Sequence, residues 1–552
     1  MSEMLSIALA QLPARMGDLT ANADSMLAAR ATVPTADLIL TPELGLVGYP
    51  PEDLVLKPAL VEACAAKLVD LARATADGGP AMLVGLPIVR DGKLMNAMAL
   101  LEGGALTGVT AKVDLPNYGP FDEKRVFEAG PPPEPLTLNG VRLGVPICED
   151  MWFPPICARL AERGAELLIS PNGSPFQLGK TADRLGRASA RANETGLAIA
   201  YLNRVGGQDE LVFDGASFVV HPGEQPCVQL PDWEAATVLT DWQRGRNGWR
   251  CDPLPIVPWE HDPAEIYSAM QMGLRDYVGA NGFPGIVLGL SGGVDSALSA
   301  AVAVDALGPE RVWCVMLPSR FTSRDSLEDA AECARLLGCR LDTISIAPAM
   351  EAFDGMLGSS FAGRGRDLAE ENIQSRARAV TLMGLSNKFG PMLLTTGNKS
   401  EMSVGYTTIY GDLAGGFSVL KDIYKTTVFK LCHWRNTHVP RGALGPSGGV
   451  MPARVIDKPP TAELRDNQRD DDSLPPYVEL DAILIGLVEE ERSAADLIGA
   501  GHDPATVARV ERLLYAAEYK RRQAPPGVKI GPRSFGRDRR YPISNAFRTS
   551  GV

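Results

Sequence analysis

The stretch "GIVLGLSGGVDSALSAAVAVDAL", residues 285–307, decides the fold of the second half of this 552-residue chain. Its first six residues are typical of a buried strand, and its Ala-rich end predicts a helix from Ser296 onwards. A strand, a glycine loop and a helix in this order direct backbone N–H groups and a helix N-terminus at an anion. A plain surface turn would not require two glycines, two hydroxyls and an acid here. No Gly-Lys-Ser/Thr ending follows, so the loop is not a Walker loop.

Strict alternation of strands and helices continues after this loop. The predicted elements are strands at 311–318, 340–346 and 392–398, and helices near 325–337 and 367–388. Such alternation predicts a parallel, doubly wound, Rossmann-like sheet, which binds ligands at the carboxyl ends of its strands. Segment 441–476 is rich in Gly, Pro and Asp, so we expect a mobile flap there.

The first half of the chain has a different pattern of short strands, several joined by hairpin turns such as "VRDGKL" and "TLNGVRL". The predicted strands are 5–11, 37–43, 81–87, 96–102, 108–113, 141–148, 165–171 and 197–203. The predicted helices are 20–31, 57–76 and 181–195. Mixed strands with helices outside them predict a layered α/β sandwich.

The length of the chain predicts more than one domain, because a single hydrophobic core stops growing at about 250–300 residues. From 241 to 264 proline and charge replace the apolar periodicity. We therefore predict a first domain over 1–245, a linker over 246–264 and a second domain over 265–552.

Composition and charge favour an enzyme of small molecules. The net charge of −13 gives no basic surface for nucleic acid or an anionic membrane, and no apolar run approaches the length of a membrane span. The basic tail 520–540 is interrupted by Pro and Gly and lacks a series of aromatic residues, so a nucleic-acid arm is disfavoured. Nine scattered cysteines predict neither disulfides nor zinc, and the N-terminus lacks a basic signal-peptide start. A cytoplasmic protein is expected.

The "SGGVDS" loop resembles that of the ATP pyrophosphatase superfamily, in which it holds pyrophosphate during AMP transfer. Further blocks resemble the NAD synthetases within it, namely "ENIQSRARAVTLMGLSNKFG", "LLTTGNKSEMSVGYTTIYGD", "VLKDIYKT", "KPPTAELRDNQRDDDSLPPY" and "YKRRQAPPG". The resemblance implies ATP contacts from Gly289, Leu290, Ser291, Gly292, Gly293, Val294, Asp295, Ser296, Thr396, Lys425 and Thr461. It implies deamido-NAD contacts from Asn372, Glu401 and Lys520, and Mg²⁺ ligands Asp295 and Glu401. Taken singly, Lys425 or Lys520 would more often be a surface charge.

The stretch "LGVPICEDMW", residues 143–152, raises a separate question about the first half. A thiol acts as a nucleophile only as thiolate, yet no histidine precedes His221 to activate Cys148. The pattern predicts a strand, a sharp turn and a helical stretch, which presents a side chain at a strand end. Glu43 and Lys112 also lie at predicted strand ends. A carboxylate can take the thiol proton, and a lysine can stabilise an oxyanion.

These three residues resemble the Glu-Lys-Cys triad of the nitrilase superfamily, a resemblance that covers about residues 4–230 and implies an α-β-β-α sandwich. The glutaminase domains of NAD synthetases are most similar, because "CEDMW" and "YGPFDEKRVFEAG" recur there. The resemblance implies a glutamine pocket formed by Tyr118, Ser174 and Lys180, and Glu123 as a supporting acid. Gly173 stands where the resemblance implies alanine. Alone, Cys148 would more often be a small buried hydrophobic residue.

Together the resemblances imply that glutamine is hydrolysed by Glu43, Lys112 and Cys148, and that its ammonia converts adenylated deamido-NAD into NAD, with AMP, pyrophosphate and glutamate as by-products. The family implies a homo-oligomer and a tunnel for ammonia. Three alternatives remain: a stand-alone amidohydrolase with a regulatory ATP domain, a non-catalytic dinucleotide sensor, and a GMP- or asparagine-synthetase-like amidotransferase. The sensor would require a damaged loop or triad, and the last group uses other glutaminase modules.

Overall fold

The structure is a computed structural model that describes residues 3–246, 248–466 and 468–549. The chain divides into two compact units, Met1–Glu260 and His261–Val552. Each unit has its own sheets and its own core, and each is described by itself below.

The first unit contains two large sheets, with strand orders β15-β14-β1-β2-β3-β4-β5 and β13-β12-β9-β8-β7-β6, and a separate β10-β11 hairpin. The strands are β1 (Met4–Gln11), β2 (Leu38–Leu40), β3 (Ala81–Arg90), β4 (Lys93–Glu102), β5 (Ala105–Ala111), β6 (Leu136–Leu138), β7 (Val141–Gly144), β8 (Leu167–Asn172), β9 (Ile199–Asn203), β10 (Val205–Gln208), β11 (Leu211–Asp214), β12 (Phe218–Val220), β13 (Val228–Gln229), β14 (Ala236–Gly245) and β15 (Gly248–Cys251). The helices are α1 (Leu19–Ala31), α2 (Pro58–Ala74), α3 (Pro154–Glu162) and α4 (Lys180–Thr195).

The two sheets pack face to face with helices outside them. Leu9 of β1 and Met98 of β4 belong to the same buried cluster as Ile169 of β8 and Leu202 of β9. Side chains alternate between the faces of a strand, so the other face of β1 packs against α1 and α2. On the second sheet, α3 and α4 cover the outer face. This arrangement confirms the predicted α-β-β-α sandwich.

The hairpin of β14 and β15 lies where the sequence predicted a lapse into linker. β14 pairs antiparallel with β1 over eight residues, and β15 pairs with β14. In β15 the residues alternate between exposed and buried, with Trp249 and Cys251 inward. Exposed arginine and glycine positions hide this apolar alternation in the sequence. The domain boundaries themselves stay a prediction.

Two predicted strands of the first unit end at least three residues earlier in the structure than predicted. The prediction 37–43 reduces to β2, and 141–148 ends at Gly144. In both cases the chain leaves the sheet before an ionisable residue, Glu43 or Cys148. The loops that carry these two side chains are also buried. Buried apolar residues therefore continue past the ends of the two strands.

The second unit contains one five-stranded sheet with order β18-β17-β16-β19-β20, and each neighbouring pair is parallel. Its strands are β16 (Ile286–Gly289), β17 (Val312–Met316), β18 (Arg340–Thr343), β19 (Met392–Thr395) and β20 (Phe417–Ser418). Its helices are α5 (Ala264–Ala280), α6 (Val294–Leu307), α7 (Arg324–Leu337), α8 (Ala347–Leu357), α9 (Leu368–Phe389), α10 (Lys399–Val404), α11 (Lys425–Thr437), α12 (Ala453–Asp457), α13 (Tyr477–Val488), α14 (Ala494–Gly499), α15 (Pro504–Ala516) and α16 (Glu518–Arg521). The predicted doubly wound sheet is confirmed.

The opening stretch folds as a strand, a loop and a helix. Val287 of β16 packs with Leu382 of α9, while Ile286 and Leu288 are buried on the opposite face of the strand. The helix α6 begins at Val294, two residues before the predicted start, and its last twelve residues are all buried. A helix that is apolar all round is suited to a position between a sheet and other helices.

The described residues of segment 441–476, where a mobile flap was predicted, pack against the rest of the second unit in this structure. It contains α12 and buries Val450 and Val455. Arg454 forms ion pairs with Asp325 and Asp329 of α7. Its mobility stays a prediction. Within the described ranges, none of the helices combines the length and apolar character needed to cross a membrane.

Candidate active sites

Cys148 lies at a sharp turn between β7 and α3. It opens the 3₁₀ helix Cys148–Met151 and has a positive φ of 48°, a conformation that L residues other than Gly seldom adopt. Its side chain is only 5% exposed. The turn therefore directs the thiol into the interior at the end of a strand, as the sequence predicted for this stretch.

A buried charge cluster surrounds this thiol. Lys112 Nζ, directly after β5, donates to Glu43 Oε1 at 2.7 Å and to Glu123 Oε1 at 2.8 Å. All three side chains are at least nine-tenths buried. Tyr49 Oη donates to Glu123 Oε1 at 2.7 Å. The structure thus places Glu43 and Lys112 in contact within the same buried environment as Cys148.

Glu43 accepts from two further donors, one on β4 and one directly after β8. Asn96 Nδ2 of β4 donates to its Oε1 at 2.7 Å, and the Gly173 backbone N–H donates to its Oε2 at 2.8 Å. An ideal Cβ on Gly173 would lie 2.9 Å from Cγ of Tyr49 and 3.2 Å from Glu43 Oε2. An alanine at position 173 would therefore press on both side chains, and glycine suits this close approach.

The charges of the cluster set its protonation. Burial raises the pKa of the Cys148 thiol well above its usual value, and Glu43 adds to this rise while Lys112 opposes it. Burial acts to lower the pKa of Lys112, but Glu123 and Glu43 outweigh it and raise that pKa. Burial also raises the pKa of Glu123, against the pull of Lys112. At rest the site therefore holds a neutral thiol beside a charged lysine.

Asp150, which the sequence reasoning missed, connects the Cys148 turn to the end of β5. Its Oδ1 accepts from the N–H groups of Val113 at 3.0 Å and Asp114 at 2.7 Å, and its Oδ2 accepts from the Ile147 N–H at 3.1 Å. Lys112 immediately precedes this segment. Burial raises the pKa of Asp150 to about 7. The only sequence signal was its place in "CEDMW".

We expect Asp150→Asn to lower glutamine hydrolysis by roughly tenfold. An asparagine NH₂ cannot accept from the Ile147 N–H, so the Cys148 turn loses one of its hydrogen bonds.

The same variant should show a pH-dependent loss of stability. Because the pKa of Asp150 is raised in the folded protein, its contribution to the free energy of unfolding is fully present below its unfolded pKa and is lost as the pH rises towards about 7. The variant's deficit in unfolding free energy should therefore be larger at about pH 5 than at about pH 8. Urea unfolding at both pH values checks this, with surface Asp183→Asn as the control. An equal deficit at both would contradict it.

The predicted glutamine-pocket residues lie around the same turn. Tyr118 Oη donates to Glu149 Oε1 at 2.9 Å, and Lys180 Nζ lies 5.2 Å from the centre of the Trp152 ring. Burial raises the pKa of Glu149, while the hydrogen bond from Tyr118 and the charges of Lys112 and Lys180 oppose this rise. Glu149, which is adjacent to Cys148 in the chain, was not singled out by the sequence reasoning.

Ser174 is held from behind by a buried arginine. Arg184 Nε donates to Ser174 Oγ at 3.1 Å, and Arg184 Nη1 donates to Asp214 Oδ1 at 2.7 Å. Both ionic partners are nearly fully buried. No sequence pattern indicates this pair, because Arg184 lies on a helix of ordinary polar composition.

The second unit holds a cavity of about 610 Å³ at the carboxyl ends of its parallel strands. Every predicted ATP and deamido-NAD residue lines it except Gly292. Gly292 has φ +80°, and an ideal Cβ there would lie 2.3 Å from the Ser326 carbonyl oxygen. Its role is therefore to let the loop turn closely past α7.

The loop is closed by its own hydroxyls. Ser296 Oγ accepts from the Ser291 N–H at 3.2 Å and donates to the Gly293 carbonyl at 3.0 Å. The Gly293 N–H donates to Ser291 Oγ at 3.2 Å. Since α6 begins at Val294, the loop presents a helix N-terminus to the cavity, where an anion is favoured.

Lys425 joins the two predicted metal ligands. Its Nζ lies 2.5 Å from Asp295 Oδ2 and 3.3 Å from Glu401 Oε1, and Asn398 Nδ2 donates to Asp295 Oδ1 at 2.8 Å. Burial raises the pKa of Glu401 to about 8, with Lys425 opposing and Asp295 adding to the rise. Burial acts to lower the pKa of Lys425, but Asp295 and Glu401 raise it. The site thus combines a cation with two carboxylates.

The described part of the chain has no group of three or more His, Cys, Asp or Glu side chains placed to hold a metal ion. Two carboxylates fit Mg²⁺ only where other oxygens complete its coordination, and this ion is commonly held by one or two carboxylates together with substrate phosphates. The donor set of Asp295 and Glu401 fits an ion that arrives with ATP.

The remaining predicted residues have local partners. Asn372 Oδ1 accepts from Thr408 Oγ1 at 2.8 Å, and Thr461 Oγ1 donates to the Gln468 carbonyl at 2.6 Å. Lys520 Nζ donates to the carbonyls of Gly405 at 2.8 Å and Thr407 at 2.7 Å. Thr396 follows β19 and lines the cavity. The structure brings these side chains to one cavity, and their contacts with substrates stay predictions.

Comparison with known proteins agrees with this architecture. A family model described as carbon-nitrogen hydrolase matches residues 6–248, and one described as NAD synthase matches residues 266–524. The chain is therefore of the class that joins a nitrilase-type hydrolase to an ATP-dependent NAD synthase. Proteins named glutamine-dependent NAD(+) synthetase are similar throughout: that of Rhodobacter capsulatus is 51% identical over 99% of this chain and 100% of the relative, and that of Thermotoga maritima is 40% identical over 99% of each.

A solved structure of the glutamine-dependent NAD+ synthetase from Acinetobacter baumannii, in complex with adenosine diphosphate, is 41% identical and covers 98% of each chain with a TM-score of 0.78. This chain belongs to the family of glutamine-dependent NAD(+) synthetases, which are carbon–nitrogen ligases with amidotransferase activity. The resemblance stated from the sequence is confirmed. The roles of the site residues that this resemblance implies stay predictions.

Proposed function

We propose that the chain makes NAD from deamido-NAD and ATP, with glutamine as the nitrogen donor, and releases AMP, pyrophosphate and glutamate. The observation that carries the proposal is the 2.7 Å contact between Lys112 and Glu43 in the buried surroundings of Cys148. The nucleotide cavity of the second unit supplies the other half of the reaction. A stand-alone amidohydrolase would not account for a cavity lined by both predicted nucleotide sets.

In the first unit, Glu43 takes the thiol proton as Cys148 attacks the side-chain amide of glutamine. Because burial raises the pKa of the thiol, this transfer is coupled to attack rather than completed beforehand. Lys112 stabilises the oxyanion of the tetrahedral intermediate, and Glu43 returns the proton to the departing ammonia. Water then hydrolyses the thioester to glutamate. Glu123 and Tyr49 hold Lys112 and its partner carboxylates in place.

The bound glutamine needs partners for two charges. Glu149 supplies a carboxylate for its α-ammonium group, and Lys180 supplies an ammonium for its α-carboxylate. Tyr118 orients Glu149 through its hydroxyl, and Ser174 lines the pocket from the end of β8. A pocket with one carboxylate and one ammonium suits an amino acid in its zwitterionic form.

In the second unit, the "SGGVDS" loop and Lys425 bind the ATP phosphates, while Asn372, Glu401 and Lys520 bind deamido-NAD. The nicotinate carboxylate attacks the α-phosphorus of ATP, so an acyl adenylate forms and pyrophosphate leaves. Asp295 and Glu401 would hold Mg²⁺ with the phosphates, where the ion supplies charge neutralisation for the leaving pyrophosphate. Neutral ammonia then displaces AMP. A dry path keeps ammonia unprotonated and therefore nucleophilic.

We also propose domain boundaries at 1–245, 246–264 and 265–552, a cytoplasmic location and a homo-oligomer. Exposed apolar side chains on and beside α9 support self-association, because Val380 is 71% exposed and Tyr410 is 70% exposed. Isolated exposed apolar residues are ordinary, but neighbouring ones more often mark an interface.

The test incubates the protein with ATP, Mg²⁺, deamido-NAD and either glutamine or ammonium, and follows AMP, NAD and glutamate. We expect NAD and AMP in equal amounts with either donor, and no NAD or AMP with either donor when a chelator removes Mg²⁺. Glutamate without AMP or NAD at saturating ATP would favour the amidohydrolase alternative and contradict the proposal. Full activity in excess chelator would contradict the metal assignment alone.

A further inference from the structure

Four cationic side chains line the nucleotide cavity among the described residues, and three of them already have strong partners. Lys425 pairs with two carboxylates, as described above. Lys458 Nζ lies 3.0 Å from Asp329 Oδ2, and Lys520 Nζ donates hydrogen bonds to two backbone carbonyls. The fourth is Arg378 of α9, to which neither the sequence nor the proposed mechanism assigned a role.

Arg378 makes one hydrogen bond within the part of the chain that the structure describes. Its Nε donates to the Leu317 carbonyl at 3.0 Å. A guanidinium group has five N–H donors, so four remain for a ligand. The carboxylate of Glu463 acts on Arg378 at longer range but accepts from the hydroxyls of Ser323 and Ser326. Burial lowers the pKa of Arg378 to about 10, so the group stays charged at neutral pH.

The position of Arg378 points to phosphate as the ligand. Leu382, one helical turn later on the same face of α9, lies against Gly289 at the start of the phosphate loop. Gly289 pairs with Val315 in the parallel register of β16 and β17, and beyond the ends of these strands Ser291 and Leu317 both line the cavity. Asn372 lies on the same helix in the other direction. Arg378 therefore stands between the ATP loop and the predicted deamido-NAD residue.

A partly buried cation with unused donors is costly unless an anion completes it. The cavity accepts two substrates rich in phosphate, and a guanidinium matches phosphate oxygens in a bidentate manner that lysine cannot reproduce. We propose that Arg378 binds a phosphate group of a nucleotide in this cavity, either from ATP or from the pyrophosphate bridge of deamido-NAD. This role rests on the proposed function of the second unit.

The test compares Arg378→Met with wild type, using ammonium as the nitrogen donor so that the first unit does not limit the rate. We expect the KM of one nucleotide to rise about 10- to 100-fold, as for the loss of a charged hydrogen-bonded pair. A rise for ATP, with weaker binding of pyrophosphate by calorimetry, assigns the ATP phosphates. A rise for deamido-NAD alone assigns the dinucleotide. Either outcome supports the anion role.

Arg378→Lys keeps the positive charge but cannot bind phosphate in the bidentate manner of a guanidinium. It should therefore recover part of the nucleotide affinity that Arg378→Met loses. It also serves as the test variant if the methionine variant does not fold, and a KM rise of severalfold is then expected. Arg335→Met, which removes an exposed arginine paired with Glu332, is the control and should leave both KM values unchanged.

Unchanged KM values for ATP and deamido-NAD in a folded Arg378 variant would overturn the inference. This result differs from a failure of the proposed function. If wild type itself makes no AMP and NAD from ammonium, the proposed function fails. If wild type is active and both Arg378 variants match it, only the role of Arg378 fails.

Discussion

Cys148→Ala should abolish NAD formation from glutamine and leave NAD formation from ammonium close to the wild-type rate. The substitution removes the nucleophile of the first unit, and loss of such a group lowers turnover by roughly 10⁴-fold or more. The second unit has its own core and its own cavity, so its reaction with ammonium does not require the thiol. Parallel assays of NAD with the two donors measure the separation, and glutamate release reports the first unit alone.

The matched control for this variant is Cys64→Ala, another buried cysteine of the first unit, in α2. It should cost about 1 kcal/mol of stability and keep activity with both donors. Equal loss of activity with glutamine and with ammonium in a folded Cys148→Ala protein would contradict the division of labour. Retention of glutamine-dependent activity would remove Cys148 from the mechanism altogether.

The fold was predictable where the residues that define an element are adjacent in the sequence. The stretch 285–307 has apolar strand, glycine loop and Ala-rich helix in immediate succession, and the structure reproduces it within two residues as β16 and α6. The hairpin of β14 and β15 was missed, because its pairing partner β1 lies more than two hundred residues away in the chain. A strand such as β14 gains its stability from that distant partner rather than from its own apolar pattern.

The candidate sites divide in the same manner. Glu43, Lys112 and Cys148 follow strands and stand in distinctive local sequence, so they could be singled out without coordinates. Asp150 and Arg378 could not, because each side chain is held in place by backbone groups far along the chain: Val113 and Asp114 for the first, Leu317 for the second. A side chain whose partner is a backbone amide or carbonyl leaves no pattern of residue types in the sequence.

Asp295→Ala should abolish NAD formation from glutamine and from ammonium alike. The carboxylate stands in the first turn of α6 beside the phosphate loop, accepts from Asn398 and pairs with Lys425. Without it, Lys425 keeps its ion pair with Glu401 but loses its shortest one, and the cavity loses one of the two carboxylates suited to Mg²⁺. Removal of one preorganised electrostatic group costs about 10²–10³-fold, and here a cation and a metal ligand are affected together. AMP formation with each donor measures the loss.

Asp295→Asn removes the negative charge of this side chain but keeps its size and shape. The amide oxygen can still accept from Asn398, but its NH₂ would face the ammonium of Lys425, so this variant should also lose activity with both donors. Asp325→Ala removes an exposed acid from the first turn of α7 and should be nearly neutral for the reaction. If folded Asp295→Ala made NAD from ammonium at the wild-type rate, adenylation would have to take place away from this loop. The cavity would then bind nucleotides without catalysing the reaction, since Asp295 is the carboxylate that joins the first turn of α6 to Lys425.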